Sequence, residues 1–379
     1  MKKILFVSNI AGSKIGNFSL SSILAAKKLG CEFHIAANWK KSSVEQIKSD
    51  EEKYGVKIHH IDFKRSPYNL LNFKAFFQLN KLMEEEQYDV IHCNTPIGGL
   101  LGRICALKSG IPKIIYMVHG FHFYEGAPIL KGNVYRFVER IMAKHTDAII
   151  TINKEDYFAA QNFTLRGDGL VYYIPGVGFD AKSFSGTKIC KEKKIADLDL
   201  PADSILMLSV GELNKNKNHS VAIKAMAEIG NSKLHYCIAG KGNYEKKLTS
   251  LINELGLKDN VHLLGYRNDI CELCKTADFF VFPTIREGLG LAAIEAMSSG
   301  LPIITSNVRG IIDYSINGVT GFTCNPYDVQ AFVRAIETLS NNEEMRNKFS
   351  ENNKKAVMKY DIKNISTLLC KIYSEILVV

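Results

Sequence analysis

Two glutamates, Glu287 and Glu295, bracket the stretch Glu-Gly-Leu-Gly-Leu-Ala-Ala-Ile-Glu. It follows the β-rich run Phe279–Phe282 and Pro283, and it opens into helix formers from Ala292 to Met297. Gly288 and Gly290, interleaved with Leu289 and Leu291, let backbone amides come close to a ligand. The helix start offers unpaired N–H groups and a partial positive charge to a diphosphate. Glu287 stands before the helix and Glu295 lies roughly two turns along it. A rise of about 12 Å then lets the two carboxylates reach opposite ends of one elongated ligand. Carboxylates suit vicinal sugar hydroxyls, because each accepts two hydrogen bonds. Either glutamate alone reads as a solvated surface charge; strand, glycine turn and helix together point to a sugar nucleotide.

Other residues sit where a strand-like run ends. His119 closes Ile114–Val118 and precedes Gly120, with His122 three residues on and Glu125 a third polar group. Asn9–Gly16, containing Gly12, Ser13 and Lys14, follows the first run. It has the glycines of a phosphate-approaching loop but not the full dinucleotide fingerprint. A plain turn and a loop facing an acceptor or a donor phosphate are both open readings of it. The lone Cys271-Glu-Leu-Cys274 has no second pair near it and reads as ordinary thiols.

These positions need a scaffold that presents strand ends. Strands are expected at Lys3–Ser8, Glu32–Ala37, Val56–Ile61, Val90–Cys93, Lys113–Val118 and Ala148–Ile152, with helical stretches between them. Continuous apolar runs argue a parallel sheet covered on both faces. Val171–Ile174 leads into Pro175-Gly-Val-Gly178, read as a linker. The pattern then restarts at Ser204–Val210, Leu234–Ala239, Val261–Leu264, Phe279–Phe282 and Pro302–Thr305. The expectation is an α/β chain of two doubly wound domains with a cleft between them, 1–176 and 177–360, and an amphipathic helix at 361–379 returning to the first.

The 379 residues are 46% hydrophobic and 23% charged, a globular composition. The apolar stretch Ile4–Val7 is too short for a signal peptide, and no run of about 18 apolar residues occurs. Nine scattered cysteines fit a reducing compartment, so a cytoplasmic location is expected. The net charge is +9, and residues 1–175 hold 23 Lys and Arg against 16 Asp and Glu. That excess favours a phosphate-bearing substrate or an anionic membrane surface; no aromatic–basic signature of nucleic-acid binding accompanies it. Two stretches, Ser66–Met83 and Ile129–Lys144, read as basic amphipathic helices that either lie in a headgroup layer or face the core.

Glu287-x7-Glu295 in this setting resembles the retaining glycosyltransferases of family four, which have the GT-B fold, and the likeness runs over nearly the whole chain. Val210-Gly-Glu-Leu-Asn-Lys-Asn-Lys217-Asn218, Ile238-Ala-Gly240-Lys-Gly242, Leu264-Gly265-Tyr266-Arg267 and Val118-His119-Gly120 carry it further. Within the family it is nearest to enzymes of exopolysaccharide and capsule assembly, of the EpsD type. Thr95-Pro-Ile-Gly-Gly, His119-Gly-Phe-His-Phe-Tyr and Thr151-Ile-Asn-Lys-Glu-Asp-Tyr carry that nearer likeness.

The resemblance implies that Glu287 holds the donor sugar hydroxyls and Glu295 the ribose, while Lys217 neutralises the departing diphosphate. Gly211 and Glu212 would lie in the diphosphate loop, Gly240 and Gly242 in the next loop, and Tyr266 and Arg267 near the nucleobase. Gly288, Leu289, Gly290 and Leu291 would line the donor. His119 would bond a donor hydroxyl, or act through its carbonyl on the oxocarbenium-like carbon. Gly12, Ser13, Lys14 and His122 would lie on the acceptor side. One departure stands out: many members carry arginine where this chain has Glu212, and a carboxylate repels a diphosphate. Arg286, Arg267 and Lys215 are candidates for the missing cation.

No metal and no cofactor are expected. Asp197-Leu-Asp199 spells the metal-binding pair of the other main glycosyltransferase fold, but it lies in a Lys-rich connecting stretch and reads as surface. The expected reaction moves a hexosyl or N-acetylhexosaminyl unit from a UDP-sugar, UDP-GlcNAc first, with retention. The expected acceptor is a polyprenyl-diphosphate-linked saccharide, met peripherally on the inner face of the cell membrane. A nucleotide-sugar epimerase of the same architecture and a non-catalytic nucleotide-sugar-binding subunit are the alternatives.

Overall fold

Apolar runs of four to six residues become parallel strands here because layers of helix cover both of their faces. The computed structural model describes residues 1–9, 11–124, 126, 128–186 and 189–378, without the side chains of Ser185 and Val378. Two units form: Met1–Phe179 together with the segment from Tyr360 onward, and Asp180–Lys359.

In the first unit the strands are β1 (Lys3–Val7), β2 (Glu32–Ala37), β3 (Lys57–His60), β4 (Val90–Asn94), β5 (Lys113–Val118), β6 (Ala148–Thr151) and β7 (Leu170–Tyr173). They make one parallel sheet in the order β3-β2-β1-β4-β5-β6-β7. All of β4, at the centre, is buried, while no residue of the edge strand β3 is. The order reverses between β1 and β4, so the loops leaving these two strands open at a topological switch point. There the Asn9 N–H donates to Thr95 Oγ1 at 3.1 Å.

Helix Leu71–Glu86 joins β3 to β4, Pro96–Lys108 joins β4 to β5, and Ile129–Ala143 joins β5 to β6. All three connections run in one direction along the sheet, so right-handed crossovers put the three helices on one face. The first of them starts at Leu71, five residues after the expected Ser66, because a turn precedes it. Asn69 Oδ1 accepts from Leu71 N–H at 3.0 Å, and Asn72 Nδ2 donates to the Ser66 carbonyl at 2.9 Å.

The opposite face carries helix Asn17–Lys28 and, packed on it, the last helix, Ile362–Val378. The expected linker at 175–178 lies within this unit: Ser21 Oγ donates to the Val177 carbonyl at 2.7 Å. Phe179 N–H then donates to the Tyr360 carbonyl at 3.3 Å, and Ile362 N–H to the Phe179 carbonyl at 2.9 Å. Outgoing and returning chain are thus joined by their backbones. Deeper in, Tyr373 of the last helix shares a hydrogen bond of 2.6 Å with His92 Nδ1 on β4, both buried.

The second unit holds β8 (Ile205–Val210), β9 (Leu234–Ala239), β10 (Val261–Gly265), β11 (Phe279–Phe282), β12 (Ile303–Ser306) and β13 (Gly321–Cys324), parallel in the order β10-β9-β8-β11-β12-β13. Its order reverses between β8 and β11. β13 was not among the expected strands, because Gly-Phe-Thr-Cys has no continuous apolar run. The two wound parallel sheets are the expected α/β architecture. Among the described residues no helix is long and apolar enough to cross a membrane.

Removing the Tyr373 hydroxyl leaves a buried imidazole nitrogen without its partner. Tyr373→Phe should lower the unfolding free energy by about 1–3 kcal/mol in urea denaturation. An unchanged midpoint would show that the last helix is held by apolar packing alone.

Candidate functional site

In the second unit the loops after β8 and β11 meet at the switch point and are laced together. Asn214 caps the short 3-10 turn Lys215–Lys217, its Oδ1 accepting from Lys217 N–H at 2.9 Å. Ile285 N–H donates to the Asn216 carbonyl at 2.8 Å. Asn216 Nδ2 donates to the Arg286 carbonyl at 2.8 Å and to Thr284 Oγ1 at 3.2 Å. Asn218, in the left-handed region at φ 53°, donates through Nδ2 to the carbonyls of Pro283 at 3.1 Å and Pro326 at 2.7 Å. On this frame Lys217 Nζ meets Glu287 Oε2 at 2.5 Å, both side chains about one-fifth exposed. The same ammonium lies 4.6 Å from the centroid of the Phe282 ring. Lys217 and Glu287, expected to act on one ligand, are therefore in direct contact.

Neighbouring loops close in on this pair. Gly211 follows β8 beside the Lys217 stem, and a Cβ on Gly240 would stand 1.8 Å from the Gly211 carbonyl oxygen, so no larger residue fits. Gly240 N–H donates to the Gly265 carbonyl at 2.8 Å, which joins the ends of β9 and β10, and Gly242 abuts the Leu213 backbone. Gly290 adopts φ +83° at the start of helix Leu291–Ser298, with Phe282, Tyr314 and Glu287 where a Cβ would point. Gly288 and Leu289 lie in that turn, and Leu291 opens the helix. Glu295 stands in the second turn of the helix, whereas Glu287 precedes the helix by a full loop.

Of three further expected donor residues, two already have side-chain partners and one is exposed. Arg267 is held bidentately by Asp269, Nε to Oδ1 at 2.8 Å and Nη2 to Oδ2 at 2.5 Å. Tyr266 beside it is exposed. Glu212 accepts from Asn214 Nδ2 at 3.0 Å, which turns the unexpected carboxylate into a brace for the loop. Lys215 is exposed on the same turn as Lys217. Asn214, Asn216, Asn218 and Thr284 were not singled out in the sequence; the alternation of Asn and Lys over 214–218 is the one local sign of them, since asparagine tolerates capping and left-handed positions.

In the first unit His119 is built by its neighbours. Asn94 Nδ2 donates to the His92 carbonyl at 3.1 Å, so Asn94 Oδ1 faces His119 Nε2, 3.0 Å away. Nε2 therefore carries the proton and Nδ1 is left as an acceptor. Phe18 lies against the ring at 4.2 Å between centroids. Desolvation pushes the imidazole pKa down to about 3, so His119 stays neutral. Thr95, next to Asn94, has φ 62°, a strained conformation for a β-branched residue. Gly12, Ser13 and Lys14 are exposed on the loop after β1, on the same edge of the sheet. His122 lies against Tyr135, ring to ring at 4.9 Å. Glu125 lies outside the described residues.

Burial also shifts Glu295. Among the described residues nothing hydrogen-bonds to its carboxylate or pairs with it, and desolvation pushes its pKa up to about 7. Among the described residues no group of three or more His, Cys, Asp or Glu side chains is arranged to hold a metal ion.

Comparison with known proteins gives this geometry a context. Residues 191–356 match the family model described as glycosyl transferases group 1, and residues 3–153 the model described as glycosyl transferase 4-like. The chain is 32% identical to the putative glycosyltransferase EpsD of Bacillus subtilis over 378 residues, 98% of this chain and 96% of that one. It is 32% identical over 270 residues, 70% of each chain, to the UDP-Gal:alpha-D-GlcNAc-diphosphoundecaprenol alpha-1,3-galactosyltransferase of Escherichia coli. Its fold matches that of Anabaena HepE, solved in complex with UDP and glucose, with a TM-score of 0.81, covering 99% of this chain and all of that one at 21% identity.

The Glu295 shift sets a pH dependence of stability. The folded carboxyl titrates above its ordinary 4.5, so its contribution is fully present below that value and is withdrawn as pH rises through about 7. Glu295→Gln abolishes the titration. Between pH 5 and pH 8 the wild type should lose on the order of 1–3 kcal/mol more unfolding free energy than the variant. Parallel pH profiles would show that water reaches the carboxylate.

Proposed function

The chain belongs to the group 1, 4-like family of glycosyltransferases, and we propose that it moves a hexosyl or N-acetylhexosaminyl unit from a UDP-sugar, UDP-N-acetylglucosamine first, onto a polyprenyl-diphosphate-linked saccharide during exopolysaccharide or capsule synthesis. The observation that carries this reading is the Lys217–Glu287 contact at the switch point of the second unit, ringed by glycine-tight loops. The Escherichia coli relative, which takes UDP-Gal and a diphosphoundecaprenol-linked acceptor, supports both substrate classes. HepE, which holds UDP and glucose on the same fold, supports the nucleotide.

In this reading the donor separates the ion pair. Lys217 turns to the diphosphate, whose charge grows as the glycosidic bond breaks, and a fixed cation stabilises that charge. Glu287 is released to accept from the sugar hydroxyls, and Glu295 accepts from the ribose. Backbone N–H groups of the Gly211 and Gly240 loops and the start of helix Leu291–Ser298 face the phosphates. With Arg267 occupied by Asp269, Lys215 and Arg286 stay as candidates for a second cation. His119, neutral and with Nδ1 open as acceptor, takes a hydrogen bond from a substrate hydroxyl. Transfer proceeds with retention: the leaving phosphate accepts the proton of the attacking hydroxyl as the new bond forms on the same face. Lys217 and the helix start do this charge work without a metal.

Purified protein given UDP-sugars and a lipid-linked saccharide should release UDP only when the acceptor is present, and EDTA should leave the rate unchanged. Lys217→Met should lower kcat by about 10²–10³-fold, the scale of losing one group that stabilises transition-state charge, and Glu287→Ala should abolish transfer. Free sugar as the product, independent of acceptor, would replace transfer by hydrolysis or epimerisation. UDP affinity, measured by calorimetry, should rise from pH 6 to pH 8 as Glu295 ionises to receive the ribose hydroxyls, and Glu295→Gln should flatten that rise.

A further inference from the structure

Helix Ile129–Ala143 has an inner and an outer face of opposite character. Its single acidic residue, Glu139, is turned inward: Oε2 accepts from Nη2 of the fully buried Arg103 at 2.9 Å, and Oε1 from the Tyr116 hydroxyl at 3.2 Å. Arg103 is fixed in turn, stacked 3.9 Å over the Tyr116 ring and donating through Nε to the Gly99 carbonyl at 2.9 Å. The outer face is left with apolar and cationic side chains and the neutral Asn133, and it carries no carboxylate. Leu130 is 80% exposed and Phe137 65%, with Ile129, Val134 and Ile141 also exposed. At 100° per residue, Leu130, Val134, Phe137 and Ile141 fall within an arc of about 60°. Arg136, Arg140 and Lys144 fill the adjoining arc, and Lys131 lies on the other flank. All four are exposed, and among the described residues none has an acidic partner.

The first half of helix Leu71–Glu86 repeats the pattern on the same face of the sheet. Phe73 and Phe77 are exposed one turn apart, preceded by exposed Tyr68 and Leu70 and by Lys64 and Arg65, which also have no acidic partner among the described residues. Each helix follows the carboxyl end of a strand, β3 and β5, after ten connecting residues, so the helices run back from the edge that carries His119 and their apolar first turns lie toward it. The 129–143 helix is coupled to the His119 loop, through Tyr135 against His122 and through Arg136, 5.2 Å from the Phe123 ring centroid.

We propose that this face, made by the 129–143 helix and the first half of the 71–86 helix, docks on an anionic lipid bilayer. The inference rests on the lipid-linked acceptor proposed above and names the surface that meets the membrane. Apolar side chains flanked by unpaired cations match the acyl boundary and the charged headgroups together. A symmetric pairing of two copies through the 129–143 helix would set Lys131, Arg136, Arg140 and Lys144 against the same cations with no carboxylate to offset them. Glu84 and Glu85 lie at the far end of the 71–86 helix, away from the carboxyl edge. The inward turn of Glu139 keeps the face free of negative charge.

The test is flotation of the full chain with vesicles of phosphatidylcholine alone or mixed with phosphatidylglycerol. Two variants accompany it: Leu130→Ser with Phe137→Ser and Ile141→Ser, and Arg140→Glu with Lys144→Glu, each checked for an unchanged circular dichroism spectrum. The wild type should float with the anionic vesicles and less so at high salt, and each variant should lose about tenfold or more in partition. Equal flotation of wild type and variants would overturn the proposal, as would no flotation at all. A wild type that is dimeric in light scattering while the variants are monomeric would assign the face to a second copy instead. UDP release with a detergent-solubilised acceptor separates the two readings. Flotation without transfer would sink the proposed function alone; transfer without flotation would sink the docking surface alone.

Discussion

The contact between Lys217 and Glu287 is the interaction on which the arrangement of the second unit turns. A cation and a carboxylate this far withdrawn from water survive only where the surroundings hold them in register. Here the surroundings are hydrogen bonds between two loops about 70 residues apart in sequence, made by Asn216, Asn218 and Thr284, together with the Asn214 cap inside the first loop and the Phe282 ring beneath the ammonium. Each charge is neutralised until something better arrives. In the proposed reading, a ligand with a diphosphate at one end and hydroxyls at the other offers both partners of the pair an exchange. Glu212 fits the same logic. Bound to Asn214, it spends its charge on fixing the loop that carries Lys217.

The first unit solves a related problem with uncharged groups. Its switch point between β1 and β4 is closed by Asn9 and the strained Thr95. Asn94, one residue earlier, uses its amide to read out the His92 carbonyl and present an oxygen to His119. One amide orientation thereby decides which imidazole nitrogen keeps its proton. In the second unit Lys217 and Glu287 follow the two strands where the winding reverses, β8 and β11; in the first, Asn9 and Thr95 follow such strands, β1 and β4, and His119 follows the next strand, β5. At each reversal two loops part in opposite directions and leave room that no helix fills.

Most of the scaffold was legible in the sequence, since continuous apolar runs such as Leu234–Ala239 and Phe279–Phe282 are what a strand buried on both faces requires. β13 was not, because its burial comes from β12 beside it rather than from its own four residues. The start of the 71–86 helix was missed for a local reason, Asn69 and Asn72 spending their side chains on a turn. Glu287 and Lys217 were legible as types in the loops after strands and Glu295 as a helix position, and the contact between Glu287 and Lys217 was not. Nothing in Lys217 or in Glu287 announces the other, nor does Asn216 announce Arg286; such partners exist only once β8 and β11 lie side by side. Arg267 shows the converse case, a cation attractive in sequence that a neighbour two residues away already holds.

The last helix carries an implication for how the molecule is made. Ile362–Val378 completes the first unit by packing on helix Asn17–Lys28, with Tyr373 bonded to His92 on the central strand β4. On the ribosome, the first unit must therefore wait for its last helix while the whole of the second unit is synthesised. The second unit is continuous in sequence and depends on nothing later, so it can mature first. The order of synthesis and the order of completion are reversed. Apolar surface around His92 and the 17–28 helix stays open to chaperones for the time it takes to translate some 180 residues.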